Sequence, residues 1–294
     1  KKKLIYILLA IITTCIIAAW WRTSGDLLFT GQANDIFLTT SRLCGLLASG
    51  LLPLQLILIG RVKWVETVFG LDKLSRIHRT NGLIILGLIL THPLLMVFAY
   101  ANINEQGVIP QFILFLTGGF GDIFWAFVGI LILLATIGLS LTIVRRKLKY
   151  EWWYYVHLFN YGAIALIFLH VHEMTEASEY LAWPIFWLAI YAFTAINVLW
   201  FRFTKPVLKF WQHKFAVSRV EDLGLATSIY ITGQNMDKFK INAGQFMILR
   251  FLQRGFWTQA HPFSMSIAPN GRELRITAKK LGDYTTELPK ILPG

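Results

Sequence analysis

Residues 78–92 read HRTNGLIILGLILTH and residues 157–170 read HLFNYGAIALIFLH, two apolar stretches that each open and close on a histidine. Ionisable side chains inside a stretch apolar enough for a bilayer are costly and usually present for a function. The separations of 14 and 13 residues correspond to about 20 Å along a helix axis, so each helix offers one imidazole near each face of a membrane.

The surrounding sequence supports the bilayer. The chain has 294 residues, 55% of them hydrophobic, with a mean hydropathy of +0.55, too apolar for one soluble core. Six stretches approach the roughly 20 residues a spanning helix needs: 4–21, 36–60, 80–100, 123–144, 153–172 and 182–203. His78 and His92 belong to the third of these helices, His157 and His170 to the fifth. The first follows Lys1–Lys3 and lacks a small-residue cleavage site, so it reads as a span rather than a signal peptide. Gln111–Thr117 is too short to cross and is expected to lie against the outer surface.

The net charge of +12 does not form a nucleic-acid stripe, because the basic residues punctuate the gaps between apolar runs. Arg61, Lys63, Lys73, Arg76 and Arg79 flank the second gap, and Arg145, Arg146, Lys147 and Lys149 fill the fourth. The third and fifth gaps hold no Lys or Arg, and the fifth carries Glu173, Glu176 and Glu179. The positive-inside rule then places both termini in the cytoplasm and the chain in the cell membrane. Trp20, Trp21, Trp152, Trp153, Tyr154 and Tyr155 fall at helix ends, where amphipathic rings anchor at the headgroups. Cys15 and Cys44 lie in apolar runs and read as buried, inert thiols, not as a disulfide framework or an iron–sulfur site.

Neutral imidazole is a good ligand for haem iron, and two axial imidazoles saturate the metal, which favours electron transfer. Depth pairs His78 with His157 and His92 with His170 around two haems. At 100° per residue, 14 steps return to within roughly 40° of the starting face, whereas 13 steps land roughly 140° away. His172, 15 residues from His157, falls within roughly 60° of its face, so periodicity leaves His170 and His172 both open. A lone intramembrane histidine can serve merely to bond a neighbouring helix, and zinc gathers its ligands around one point. Two matched pairs at two depths fit neither alternative.

From Lys205 the pattern changes to short β-type runs at Lys214–Val220, Ala226–Thr232, Gln245–Leu252, Phe263–Ala268 and Leu274–Ala278. The turns Gly233–Asn235, Asn242–Gly244 and Pro269-Asn270-Gly271 separate them. The expected organisation is a six-helix α-helical membrane domain over 1–204 and a cytoplasmic antiparallel β-barrel over 205–294. In the latter, His261-Pro262-Phe263-Ser264 opens a strand and is followed, across a turn, by Leu281-Gly282-Asp283-Tyr284-Thr285. A strand-borne aromatic and hydroxyl can address a flavin ring, and a glycine turn opening a helix can offer amides to a pyrophosphate.

Together these residues resemble the NADPH oxidase and ferric reductase superfamily, most closely its bacterial NADPH oxidases, over nearly the whole chain. The resemblance implies two haem b groups on His78, His92, His157 and His170, choosing His170 over His172. It implies an FAD-binding domain of ferredoxin-reductase type, with Ser264 near the flavin N5, His261, Pro262 and Phe263 lining the flavin, and Gly282 and Thr285 holding the pyrophosphate. It also implies that Arg42 lies beside the outer haem and the oxygen site, that an external acceptor, oxygen giving superoxide, takes the electrons, and that NADPH or NADH donates them. Met96 stands where some eukaryotic members place a second histidine. The family continues into a nucleotide-binding domain; the chain ends at Leu292-Pro293-Gly294 without a Gly-rich dinucleotide fingerprint in 205–294, so efficient NADPH use is expected to need that domain from elsewhere. The rivals are a ferric or other metal reductase of the same wiring and a membrane protein whose histidines are structural.

Overall fold

The computed structural model describes residues 1–119, 121–140, 150–176, 182–239, 241, 245–268 and 270–294. Arg145, Arg146, Lys147, Lys149, Glu179, the turn at 242–244 and Pro269 lie outside the described residues. The chain divides into two compact units, Lys1–Arg202 and Phe203–Gly294.

The first unit comprises α1 (Lys2–Ser24), α2 (Ala33–Ile59), α3 (Lys63–Phe69), α4 (Leu71–Ile103), α5 (Val108–Thr117), α6 (Gly121–Ser140), α7 (Tyr150–Glu176) and α8 (Ala182–Val198), which passes into a π turn at Leu199–Thr204. Helices α1, α2, α4, α6, α7 and the one starting at Ala182 are each long and apolar enough to cross a membrane. The chain is a multi-pass membrane protein. Leu4, Ile7, Ile11, Leu83, Leu94, Phe159 and Ile196 stand exposed on the helix surfaces, as suits lipid-facing positions. α4 starts at Leu71, after Gly70 at φ +74°, and not at residue 80. Its first two turns carry Asp72, Lys73, Ser75 and Arg76, which end an apolar run without ending a helix.

Two helix pairs dominate, α2 against α4 and α6 against α7, while α4 and α7 barely touch each other. Where helices do meet, small residues let backbones approach. A Cβ on Gly129 of α6 would lie 2.8 Å from the Ala163 carbonyl of α7, and one on Gly45 of α2 would lie 2.9 Å from the His92 ring of α4. Around these contacts Leu52, Ile85, Ile89, Leu133, Ile164, Ile167 and Trp187 form the main core. Trp20, expected as an interface anchor, is buried and donates Nε1–H to the Thr39 carbonyl at 2.9 Å, whereas Trp21 is exposed. Cys15 is not buried; it sits on the outward face of α1.

The second unit comprises α9 (Lys205–His213), β1 (Ala216–Asp222), β2 (Ala226–Thr232), β3 (Phe246–Leu249), β4 (His261–Ser264), β5 (Leu274–Lys279) and α10 (Asp283–Glu287). All its strand pairings are antiparallel, in sheets ordered β1-β2-β5 and β3-β4. Among the described residues the sheets join through one bridge, Met265 to Ile276, rather than closing along their edges. Ile229, Ile276 and Leu288 are fully buried at the centre of its core. β4 begins at His261, two residues before the expected strand, because the His261-Pro262 pair already takes part in the ladder with Ile248 and Leu249.

Gly129→Ala should lower thermal stability in detergent by about 1–3 kcal/mol, since backbone faces the new methyl. Gly87→Ala meets nothing within 4 Å and should hold or slightly raise the unfolding midpoint, alanine being the better helix former. Equal midpoints for the two variants would show that the α6–α7 approach is not tight.

Candidate functional site

α4 and α7, held apart by their own neighbours, reach each other through histidines. The His78 and His157 ring centroids are 6.2 Å apart, and those of His92 and His170 are 6.3 Å apart. With a metal–imidazole bond of about 2.0–2.1 Å and about 1.1 Å from nitrogen to ring centre, two opposed imidazoles on one ion have centroids about 6.3 Å apart. Each pair therefore has the spacing of two axial ligands. Among the described residues no three His, Cys, Asp or Glu side chains gather to hold a metal. The donor set fits a metal whose other positions are filled by a macrocycle. His172 instead stacks its ring on Phe168, with centroids 5.9 Å apart.

Why the rings face each other follows from the bonds at their other nitrogens. α2 runs antiparallel to α4, and its Ser41 and Gln55 are separated by the same 14 residues as His78 and His92. The Gln55 carbonyl lies 3.2 Å from His78 Nδ1, and the Ser41 carbonyl 2.9 Å from His92 Nδ1. Return bonds double each link: Gln55 Nε2 donates to the His78 carbonyl and Ser41 Oγ to the His92 carbonyl. Asn81 adds a third bond, from its Nδ2 to Gln55 Oε1 at 2.8 Å. On α7, His157 stacks on Trp153 with Asn160 3.4 Å from its Nδ1, and His170 Nδ1 lies 2.8 Å from the Asp122 carboxylate. In His78, His92 and His170 Nδ1 faces an acceptor, so Nε2 is the nitrogen left for a metal; such bonds fix ring orientation in metal sites.

Pro53 lacks the amide that would satisfy the Ser49 carbonyl one turn back in α2, and the Tyr191 hydroxyl of α8 donates to it instead, at 3.1 Å. Arg42, one residue from Ser41, donates Nη1–H to Ser24 Oγ at 3.1 Å and meets no carboxylate among the described residues.

In the second unit, β3 and β4 pair Phe246 with Ser264 and Ile248 with Pro262. These four are exposed and alternate with Met247, Leu249, His261 and Phe263 on the other face. Phe263 is buried in the core, so the apolar ledge beside Ser264 is built from Phe246, Ile248 and Pro262. His261 lies on Tyr284, with centroids 3.9 Å apart, which brings the two motifs together. Thr285 Oγ1 accepts from the Leu281 and Gly282 amides at 3.0 and 3.1 Å, so it shapes the turn from within. The Tyr284 hydroxyl is buried without a partner among the described residues, and burial pushes it up to about 12, Arg250 drawing it partly back.

Ser41, Gln55, Asn81, Asp122, Phe246 and Ile248 were not singled out by sequence. The signal for the first two was a pair of polar residues in the preceding span at the histidines' own spacing.

A family model described as a ferric reductase like transmembrane component matches residues 44–169, and one described as an FAD-binding domain matches residues 212–293. The first span of matching sequence holds His78, His92 and His157; the second holds the His261–Ser264 strand and the Gly282–Thr285 turn. No curated protein matches the chain.

Gln55→Leu keeps the carbonyl at His78 but removes the bonds to the His78 carbonyl and to Asn81. It should cost about 1–3 kcal/mol in thermal unfolding, from buried polar atoms left unpaired. An unchanged midpoint would show that water replaces them.

Proposed function

The chain belongs to the NADPH oxidase and ferric reductase superfamily, and on that premise we propose that it is an oxidoreductase moving single electrons from FAD across the bilayer to an external acceptor, oxygen, which leaves as superoxide. The observation that carries this reading is the two opposed imidazole pairs at 6.2 and 6.3 Å. His78 and His157 hold one haem b and His92 and His170 the other. Bound there, the two haems supply one-electron carriers at two depths in the membrane.

The residues around them do the rest. With both histidines of each pair holding the iron, no protein-side position would be left for oxygen at the metal. The four Nδ1 partners keep each ring turned and set its basicity. Arg42, whose guanidinium meets no carboxylate among the described residues, would attract the anionic product near the His92 pair. The basic residues flanking the second gap support cytoplasmic termini, in a protein of the plasma membrane. NADPH or NADH would be the electron donor on that side. Ser264 would address the flavin N5, and Pro262 with the exposed Phe246 and Ile248 would line its seat; His261, stacked on Tyr284, and Phe263, in the core, back that strand from its other face, and Thr285 holds the Leu281–Gly282 turn in shape for the pyrophosphate.

The test is an air-oxidised minus dithionite-reduced spectrum of the purified chain after haem-replete expression, with haem counted per polypeptide. Two low-spin bis-imidazole haems are expected; a colourless preparation refutes the reading. Ala at His92 or His170 should remove one haem and spare flavin, Ala at His172 should remove none, and Ser264→Ala should slow flavin reactivity with both haems kept. Oxygen uptake that persists without iron, with superoxide outside, identifies the acceptor; turnover only with ferric iron excludes it.

A further inference from the structure

The four histidines differ in what their Nδ1 atoms meet. His78 and His92 face backbone carbonyls, and His157 faces the Asn160 amide. Only His170, among the described residues, faces a carboxylate: Asp122 Oδ2 lies 2.8 Å away. Asp122 stands in the first turn of α6, and its side chain is 13% exposed. No Lys or Arg pairs with it among the described residues, so His170 is the partner that offsets the desolvation of its charge.

Position and chemistry both follow. His170 lies 13 residues after His157, which on a regular helix turns its Cα roughly 140° from the face of the first ligand. A carboxylate on the neighbouring helix that accepts Nδ1–H turns the ring back, leaving Nε2 as the bare nitrogen beside His92. The negative charge behind the ring adds electron density to the imidazole, which favours a metal in its more oxidised, more positive state. Among the described residues the His78–His157 pair has no such anion.

We propose that Asp122 is a positioning residue for His170, fixing its tautomer and direction and lowering the potential of the iron held by the His92–His170 pair, so that this iron is the stronger one-electron donor of the two. The inference rests on the haem reading above. Its test is a spectroelectrochemical titration of the purified full chain with haem counted per polypeptide. Asp122→Asn should keep two haems and shift the oxidised-to-reduced ratio of one of them about tenfold toward reduced at fixed potential, which is 59 mV for a one-electron couple. The other haem should stay put, and Asp122→Glu should titrate as the parent does. If Asp122→Asn instead loses one haem that Asp122→Glu regains, the positioning role stands on occupancy. Two haems with both midpoints unmoved in Asp122→Asn overturn the proposal and leave the haem reading intact. Loss of both haems that Asp122→Glu does not restore also overturns it, as general misfolding. A parent chain without haem overturns both readings together.

Discussion

Inside a bilayer no water completes a hydrogen bond, so every polar atom in the spans must be answered by protein, and in this chain α2 gives most of the answers. Its Ser41 and Gln55 carbonyls sit at the two Nδ1 atoms of α4, its Gln55 side chain meets Asn81, and its Ser49 carbonyl takes the Tyr191 hydroxyl. The α2–α4 pair is thus a polar ladder enclosed in apolar helices. Because the rungs engage the outer nitrogens of the imidazoles, the inner nitrogens are turned toward α7. The spacing of the opposed rings is a consequence of satisfying α2.

The two histidine helices also owe their separation to their neighbours. Gly45 accepts the His92 ring where any Cβ would collide with it, and Gly129 accepts the Ala163 backbone. Each close pair therefore packs inward on itself, and α4 and α7 meet through the His78–His157 and His92–His170 rings and the apolar core they share. Leu52, Ile85, Ile164 and Trp187 keep that arrangement apolar apart from the groups the histidines need.

The sequence made the spans and histidines legible because each signal is local: an apolar run, and a charge-bearing residue that has no business in it unless used. The pairing by depth was legible too, since axial rise is fixed per residue. What stayed hidden depends on contacts between distant segments. Nothing near His170 announces Asp122, 48 residues earlier and just past a glycine turn. Periodicity left His170 and His172 both open, and packing shows the His170 ring against His92 and the His172 ring on Phe168. The start of α4 was hidden because its first turns are polar. In the second unit both flavin-type motifs were readable as strings, but their alternation was not: the β3–β4 register sends Phe263 inward and brings Phe246 beside Ser264.

Pro53 gives the first unit an order of assembly. The carbonyl it strands in α2 is answered by Tyr191, which enters the chain 142 residues after Ser49. A protein threaded into the membrane from its N-terminus must carry that unanswered carbonyl through the making of every intervening span. The hydrogen bonding of α2 between Ser41 and Gln55 is therefore complete only when the span that begins at Ala182 docks.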